Sequence, residues 1–212
     1  MTHAGAQYDL IADEYAEAFA DELSSRPFDR GFLASFARSV RASGGTRVLD
    51  AGCGPGHAGR ELSGAGLDVI GIDSSRRMVR MASGLVADMA ALPLAPESVN
   101  GVCAWYSIVH TPAQHLAELF AEFKRVTTAD GWLLLAFQTS APTLEMRSAF
   151  DMDVHLDFLR HDVDHVQSLL IDCGYVLHRD AVRSGGAGET AAQAFVIARA
   201  ADHLDVPPGK SC

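Results

Sequence analysis

The segment that most constrains the fold is an apolar run that leads directly into a glycine-rich turn, at residues 48–56 (VLDAGCGPG). Residues 47–51 have the composition of a buried strand, and a helical pattern follows at 58–65. A second apolar run, 67–72, ends next to Asp73. This succession predicts a βαβ unit, in which the two strands are parallel and the glycine turn joins the first strand to the helix.

The rest of the chain extends this pattern. The loop between the last two predicted strands is too short for a crossover helix, so we expect them to pair antiparallel. The predicted fold is therefore α/β, a doubly wound, seven-stranded, mostly parallel sheet whose last strand is antiparallel. Further strands are predicted at 85–87, 99–106, 132–137, 175–182 and 194–198, with helices at 112–126 and 163–173 and two N-terminal helices around 8–19 and 28–40.

Length and composition place this sheet in a single domain. The chain has 212 residues, 48% of them apolar, and a formal charge of −10, so it can form a large core without disulfides or structural metal. The acidic balance argues against binding a phosphate backbone, no apolar run has the length of a membrane span, and the N-terminal residues lack a signal-peptide pattern. We therefore predict no nucleic-acid or membrane partner and a cytoplasmic location. The predicted domain covers 1–200, with helices in 1–45, the α/β core in 46–200 and a disordered tail at 201–212.

The glycine turn and Asp73 together predict an adenosine-containing ligand. Glycines let a ligand approach the backbone, and the first amides of the following helix offer hydrogen-bond donors. A carboxylate at the end of the neighbouring strand can accept both hydroxyls of a ribose. A dinucleotide site usually has the pattern GxGxxG, whereas this turn is GxGxG. A third carboxylate, Asp88, follows the third strand beside Met89, where it can accept from an adenine amino group.

With these motifs the sequence resembles the class I, seven-stranded S-adenosylmethionine-dependent methyltransferases over residues 8–199. The resemblance implies S-adenosylmethionine as cofactor and S-adenosylhomocysteine as product, with the N-terminal helices as a lid. It assigns the glycine turn to the methionine part of the cofactor, Asp73 to the ribose, and Asp88 with Met89 to the adenine edge. The predicted cofactor-binding residues are Tyr15, Asp50, Gly52, Cys53, Gly54, Gly56, Asp73, Ser74, Met78, Asp88, Met89, Trp105 and Tyr106.

One stretch departs from the family pattern. Residues 123–135 resemble a helix, turn and strand that usually read RVLKPGG, but here 127–131 read TTADG, which keeps one glycine and lacks the proline. The predicted cofactor residues lie outside this stretch.

Two residues after the fourth strand are candidate catalytic groups. In open α/β sheets the carboxyl ends of the strands face the ligand, which places 104–112 near the methyl acceptor. His110 titrates near neutrality and suits a general base. Tyr106, four residues earlier, would lie on an adjacent face of the same turn if the segment is helical. Two simpler interpretations stay open, namely that His110 orders the loop or contacts the substrate, and that Tyr106 packs.

Three other features have more than one interpretation. Residues 151–165 are rich in Asp and His, and the spacing of His161 and His165 suits a metal ion, but acidic residues also favour a helix N-terminus, so we predict no metal. A second interpretation places 152–158 over the acceptor. Tyr8 either contacts the cofactor or packs between helices. Arg183 and Glu189 flank a glycine-rich turn, and the simplest interpretation is a solvent-exposed turn without a further function.

We therefore predict an enzyme, a monomer or homodimer, that moves a methyl group to an oxygen or nitrogen atom of a small-molecule acceptor by in-line displacement; the sequence leaves carbon open. Two alternatives remain. An NAD(P)-dependent dehydrogenase would share the glycine turn and Asp73, although it gives no reason for Asp88 and Met89. A non-catalytic S-adenosylmethionine-binding module would share the entire cofactor site.

Overall fold

A seven-stranded sheet forms the centre of the molecule, described here from a computed structural model that covers residues 3–186 and 188–201. The strands are β1 (Arg47–Ala51), β2 (Asp68–Asp73), β3 (Leu85–Val86), β4 (Val99–Trp105), β5 (Thr127–Thr139), β6 (Leu144–Ala149), β7 (Met152–Phe158), β8 (Tyr175–Arg183) and β9 (Ala192–Ala200). The spatial order is β3-β2-β1-β4-β5-β9-β8, and β9 runs antiparallel to both of its neighbours. The predicted α/β sheet with a reversed last strand is confirmed.

Helices cover both faces of this sheet. The apolar residues of α3 and α4 form one core with one face, and those of α6 and α7 form a second core with the other. The helices are α1 (His3–Leu10), α2 (Ala12–Ala18), α3 (Pro27–Ala42), α4 (His57–Gly64), α5 (Arg76–Ala82), α6 (Leu116–Val126) and α7 (Val163–Asp172), with 3-10 turns at Glu22–Ser25, Ile108–His110 and Ala113–His115.

Burial agrees with the position of β5 inside the sheet, between β4 and β9. Its residues Leu133 to Phe137 are all fully buried, as expected for a strand that helices cover on both faces.

Two helices begin at side-chain caps: Ser75 accepts from the Met78 amide at α5, and Asp162 accepts from the His165 amide at α7. Such caps satisfy amides that have no partner inside the helix.

The N-terminal helices differ from the prediction. The first predicted helix, 8–19, is divided at Ile11 into α1 and α2. Ile11 is 1% exposed and packs with Val154 and Leu156 of β7. This contact with a strand more than 140 residues away decides the break, so the local apolar spacing did not reveal it.

The sequence did not predict the hairpin of β6 and β7. These strands pair as a separate two-stranded antiparallel sheet. Their connection places Phe150 and Asp151 at φ +53° and +60°, a conformation for which hairpins usually have Asn or Gly. All β6 residues are exposed or half-buried, and the turn has no Asn or Gly. β7 alone shows the alternation of a strand, MDVHLDF, which the prediction did not use.

Several predicted boundaries also move. The helix predicted at 112–126 begins as α6 only at Leu116, and the strand predicted at 132–137 begins as β5 at Thr127. Ala201, the first residue of the predicted tail, is 5% exposed, and its amide donates to the Gly174 carbonyl at 2.9 Å. The remaining tail residues, 202–212, lie outside the described residues.

Candidate active site

A cavity of about 460 Å³ lies at the carboxyl ends of β1, β2 and β4. This volume is within the ~300–1,000 Å³ range of small-molecule sites. The lid helices α1 and α2 and the strand β7 contribute to its walls. The predicted site residues that line it are Tyr15, Asp50, Gly52, Cys53, Gly54, Asp73, Ser74, Met78, Asp88, Met89, Trp105, Tyr106 and His110.

The glycine turn depends on a close approach at Gly52. This residue has φ +73°, and a Cβ built there would lie 2.3 Å from the Cβ of Ser107. The amides of Gly52 and Cys53 both donate to the Ile72 carbonyl, at 2.9 and 2.8 Å. Any side chain at position 52 would therefore push the turn away from β2 and from the residues that follow β4.

Gly56 is the one predicted cofactor residue that does not line this cavity. It is the N-cap of α4, at φ +89°, and it borders a smaller cavity of about 270 Å³. Its amide donates to the Cys53 carbonyl at 2.9 Å. In this structure Gly56 turns the chain into the helix, so its assignment as a cofactor contact is not supported by its position.

Asp50 is a buried carboxylate at the end of β1. It is 1% exposed, and neither carboxylate oxygen makes a hydrogen bond of normal geometry within the described residues. Burial raises the pKa of Asp50 to about 7, an effect that the nearby Gly59 amide partly offsets and the charge of Asp73 increases. A buried carboxylate without a partner costs stability, so this position favours a ligand that brings a positively charged group.

Asp73 is held by backbone amides at the end of β2. Its Oδ2 accepts from the Gly54 amide at 2.9 Å, and its Oδ1 accepts from the Ser75 amide at 2.8 Å. Burial raises the pKa of Asp73, while these amides act in the opposite direction. The carboxylate thus connects the glycine turn to the start of α5 and faces the cavity in a fixed orientation.

The residues predicted to contact an adenine lie further along the same cavity. Asp88 accepts from the Ala90 amide at 3.0 Å. Met89 packs against the larger core and, with Ser74, lines the cavity, while Met78 is 2% exposed. Together these residues give this part of the cavity two methionine side chains and a carboxylate.

His110 has a defined tautomer because of its two partners. Its Nδ1 lies 2.9 Å from the Asp157 carbonyl, which can only accept, so Nδ1 carries the proton. Its Nε2 lies 3.1 Å from the Tyr8 hydroxyl and accepts from it. Burial lowers the pKa of His110, although the Asp157 carbonyl and charge oppose this. The imidazole is therefore neutral at pH 7, with the basic nitrogen occupied by Tyr8.

Tyr106 does not share a helical turn with His110, contrary to the geometry predicted. It has φ +55°, so the chain leaves β4 in the left-handed region, and a 3-10 turn begins only at Ile108. The Tyr106 ring packs at right angles to Trp105, with centroids 5.5 Å apart, and contacts Phe195. Both candidate catalytic residues line the cavity, but they contact different neighbours.

An ionic cluster adjoins Tyr106, and it replaces the solvated turn expected at Arg183 and Glu189. Arg183 binds the buried Asp29 through two hydrogen bonds of 2.7 and 2.8 Å and also pairs with Glu189. Arg26 pairs with Glu189 and, at 3.1 Å, with Glu22. This ionic cluster of Glu22, Arg26, Asp29, Arg183 and Glu189 joins the lid to the loop between β8 and β9.

Sequence reasoning missed several residues that line the cavity. Glu22 and Leu23 come from the 3-10 turn before α3, and Leu159 follows β7. Residues of β7 itself also line it, as the interpretation of 152–158 as a cover requires. No local motif marks these positions, because distant segments bring them together. The β7 residues on the cavity wall are His155, Leu156 and Asp157.

The Asp- and His-rich segment does not assemble a metal site. His161 is 4% exposed and its Nε2 donates to the Ile108 carbonyl at 3.0 Å, whereas His165 is exposed. The two do not lie one turn apart on a helix, because α7 begins at Val163. Within residues 3–186 and 188–201, no three His, Cys, Asp or Glu side chains are grouped as metal ligands.

Comparison with known families agrees with this geometry. Residues 48–131, which carry the glycine turn, Asp73 and Asp88, match the model of a methyltransferase domain. The matched segment is 84 of the 212 residues, and over it the chain is similar to the class I S-adenosylmethionine-dependent methyltransferases. S-adenosylmethionine is the cofactor of this family.

Solved structures share the fold of this methyltransferase. A methyltransferase from Methanosarcina mazei superposes with a TM-score of 0.66 at 17% identity, over 73% of this chain and 92% of that one. The magnesium protoporphyrin IX methyltransferase of Synechocystis PCC 6803, solved with bound S-adenosylmethionine, superposes with a TM-score of 0.61 at 18% identity, over 91% and 96% of the two chains. At such identities the likeness concerns the fold alone.

Curated relatives of this methyltransferase act on different compounds, according to their names. A demethylmenaquinone methyltransferase of Renibacterium salmoninarum is 30% identical over 147 residues, 65% of this chain and 59% of that protein. A malonyl-[acyl-carrier protein] O-methyltransferase of Methylovorus is 33% identical over 150 residues, 60% of this chain and 49% of that protein. This chain spans about half the length of the curated relatives it matches. In the part of the methyltransferase that the structure describes, no helix has the length and apolar character needed to cross a membrane.

Proposed function

We propose that this chain transfers a methyl group from S-adenosylmethionine to an oxygen or nitrogen atom of a small-molecule acceptor. The observation that carries this proposal is that Asp50, Asp73 and Asp88 line one cavity at one edge of the sheet. Relatives named for demethylmenaquinone and for malonyl-[acyl-carrier protein] add support, although their names refer to different acceptors. The cytoplasmic location and the monomeric or dimeric state stay predictions.

The residues of the cavity fit the cofactor. Asp50, which has no partner of normal geometry, would bind the ammonium group of the methionine part. Asp73 would accept from the ribose hydroxyls, and Asp88 from the adenine amino group. When bound, S-adenosylmethionine would supply a methyl group on a positively charged sulfur, which can be transferred to the acceptor atom.

The protein's own contribution is to position the acceptor, exclude water and receive a proton. Positioning of two reactants can supply about 7–11 kcal/mol of the barrier reduction. Where the acceptor atom carries a proton, we assign its removal to Tyr8 and His110. The Tyr8 hydroxyl donates to Nε2 of His110 at 3.1 Å, so as the Tyr8 oxygen takes a proton from the acceptor, its own proton passes to His110.

A thermal-shift titration with S-adenosylmethionine, S-adenosylhomocysteine, NAD and NADP tests the cofactor. A ligand at one hundred times its Kd adds ~2.7 kcal/mol, which raises the melting midpoint of a domain of this size by about 5–10 °C. We expect this rise with the two adenosyl compounds and none with the nicotinamide nucleotides. A rise with NAD or NADP alone would overturn the proposal in favour of a dehydrogenase.

Asp73→Asn tests the ribose contact, with Asp68→Asn as the matched control at the other end of β2. Asp68 is exposed and pairs with Arg47 at 3.5 Å, away from the cavity lining. Loss of a charged hydrogen-bond acceptor costs about 1.5–3 kcal/mol, so Asp73→Asn should weaken S-adenosylhomocysteine binding by about 10- to 100-fold in calorimetry. Asp68→Asn should bind normally; equal affinities for both variants would remove Asp73 from the site.

Catalysis is tested separately from binding. We expect S-adenosylhomocysteine to form when the protein, S-adenosylmethionine and pooled small metabolites are incubated together, and mass spectrometry to detect a compound heavier by one methylene. Binding of both adenosyl compounds without any such product would favour a non-catalytic binding module.

A further inference from the structure

The charge of the cavity wall restricts the acceptor. Among the lining residues within 3–186 and 188–201 there is no lysine or arginine, whereas five residues carry carboxyl groups. Four histidines also line the cavity: His3, His57, His110 and His155. Burial lowers the pKa of His57 and His110, which favours their neutral forms. A wall of this kind repels carboxylates and phosphates and attracts cations. The five carboxyl residues are Glu22, Asp50, Asp73, Asp88 and Asp157.

Glu22 is the one carboxylate among these five that is neither assigned to the cofactor nor paired outside the ionic cluster. Asp50, Asp73 and Asp88 are assigned to the cofactor, and Asp157 pairs with Arg147 at 2.7 Å. Glu22 has an ion pair with Arg26 at 3.1 Å, but Arg26 also binds Glu189.

The ionic cluster around Glu22 has an excess of negative charge. It contains two guanidinium groups, Arg26 and Arg183, and three carboxylates, so one negative charge is not balanced inside it. Asp29 is held by two hydrogen bonds from Arg183, and Glu189 by both arginines and the Gly186 amide. The excess formal charge therefore falls at Glu22, the member of the cluster that lines the cavity. Burial raises the pKa of Glu22, and the charges of Arg26 and Arg183 act in the opposite direction.

Aromatic rings also line the cavity. Trp105 and Tyr106 are perpendicular, with centroids 5.5 Å apart, and Tyr15 is perpendicular to Tyr8 at 5.6 Å. Burial, and next the charge of Glu22, raises the pKa of Tyr15. Burial and then Asp29 raise the pKa of Tyr106, Arg183 and Arg26 lower it, and Glu22 raises it by the smallest amount. Glu22 therefore lies near both phenols. Faces of aromatic rings attract cations by about 0.5–2 kcal/mol.

We propose that the acceptor carries an ammonium group, which Glu22 binds between the rings of Tyr15 and Tyr106. This inference rests on the proposed function and extends it, because it names the charge of the substrate. It also separates this chain from any relative whose acceptor presents a carboxylate, since an anion would meet the excess charge of the ionic cluster.

Binding of matched probes tests the proposal without turnover. Amines, alcohols and carboxylates built on benzyl, phenylethyl and hexyl skeletons are titrated calorimetrically into the full chain saturated with S-adenosylhomocysteine. For at least one skeleton, we expect the amine to bind about tenfold or more tightly than the carboxylate, a difference of ~1.4 kcal/mol. Failure of the amines to bind, or tighter binding of the carboxylates, overturns the proposal.

Variants then assign the preference to Glu22. Glu22→Gln should remove it and Glu22→Asp should keep part of it, whereas Glu17→Gln, which makes the same charge change on the exposed face of α2, should leave it intact. Equal preference in Glu22→Gln and Glu17→Gln overturns the role of Glu22. If Glu22→Gln does not fold, the proposal is tested by the preference of the wild type for amines and by its partial loss in Glu22→Asp.

The two proposals fail in different ways. If S-adenosylhomocysteine does not bind the wild-type chain, the proposed function is overturned, and the probes are titrated into the protein alone, where their order still tests the ammonium site. If S-adenosylhomocysteine binds but amines show no advantage over carboxylates, the function stands and the ammonium site is overturned.

Discussion

The two sides of the cavity differ in how far along the chain their contacts reach. On the motif side, formed by the glycine turn and the ends of β1 and β2, the bond from the Gly54 amide to Asp73 joins residues 19 apart. On the lid side, formed by α1, α2, β7 and the ionic cluster, the bond between Tyr8 and His110 joins residues 102 apart, and that between Asp29 and Arg183 joins residues 154 apart. The motif side is fixed by local backbone geometry, whereas the lid side exists only after the whole chain has folded.

The largest expected effect tests the local geometry of the motif side. Gly52→Ala places a methyl group 2.3 Å from Ser107 at φ +73°, whereas Gly54→Ala meets nothing within 4 Å at φ +51°. Gly52→Ala should lower the free energy of unfolding by about 4 kcal/mol, from overlap and backbone strain, and Gly54→Ala by about 1 kcal/mol. Urea denaturation measures both. Similar losses in the two variants would mean that Ser107 moves aside and that the turn is not rigid.

The next prediction concerns the buried carboxylate of Asp50 on the motif side. The folded-state pKa of Asp50 is raised to about 7 from its ordinary 3.8, so the folded protein binds the extra proton and its stability falls as pH rises from about 4 to above 7. Asp50→Asn should therefore be more stable than the wild type at pH 8, by about 2 kcal/mol, because an unpartnered amide costs less than a buried charge. Near pH 4 the advantage should disappear. A difference independent of pH would show that the pKa of Asp50 is the same in the folded and unfolded states, and that burial does not raise it.

The third prediction has the smallest expected energy and concerns activity, not stability. It tests the long-range contact between Tyr8 and His110 on the lid side. Tyr8→Phe removes the hydroxyl that donates to His110, and we expect kcat to fall about tenfold with KM little changed, as for a lost proton-transfer group. Because burial lowers the pKa of His110, wild-type activity should fall only below pH 6.5, and Tyr8→Phe should lose this acidic limb.

A double variant separates a shared role from two independent ones. If Tyr8 and His110 act as one unit, Tyr8→Phe combined with His110→Ala should be no slower than His110→Ala alone. Multiplicative losses would contradict the proton path and leave His110 as a residue that orders its loop.

The same contrast explains which structural features the sequence revealed. The sheet and the positions of Asp73, Asp88 and the glycine turn follow from apolar runs and turn residues that lie close together. The break at Ile11 follows instead from packing against β7, and the hairpin of β6 and β7 turns at Phe150 and Asp151, which do not signal a turn.

The sequence also failed to predict side-chain contacts between residues that are far apart along the chain. Arg183 and Glu189 flank a glycine-rich stretch, which suggested only a solvated turn, yet both take part in the ionic cluster with residues from the start of the chain. At Gly56 the glycine motif predicted a ligand contact, whereas in the structure Gly56 is the N-cap of α4.

The position of β9 between β5 and β8 also determines when the molecule becomes complete during synthesis. β8 leaves the ribosome before β9, but it pairs in the sheet only with β9. Until the last strand emerges, β5 has an unpaired edge and Arg183, at the end of β8, has no fixed approach to Asp29. The nascent chain can therefore form the glycine turn early, but Arg183 can take its position beside Asp29 only once β9 has paired with β8.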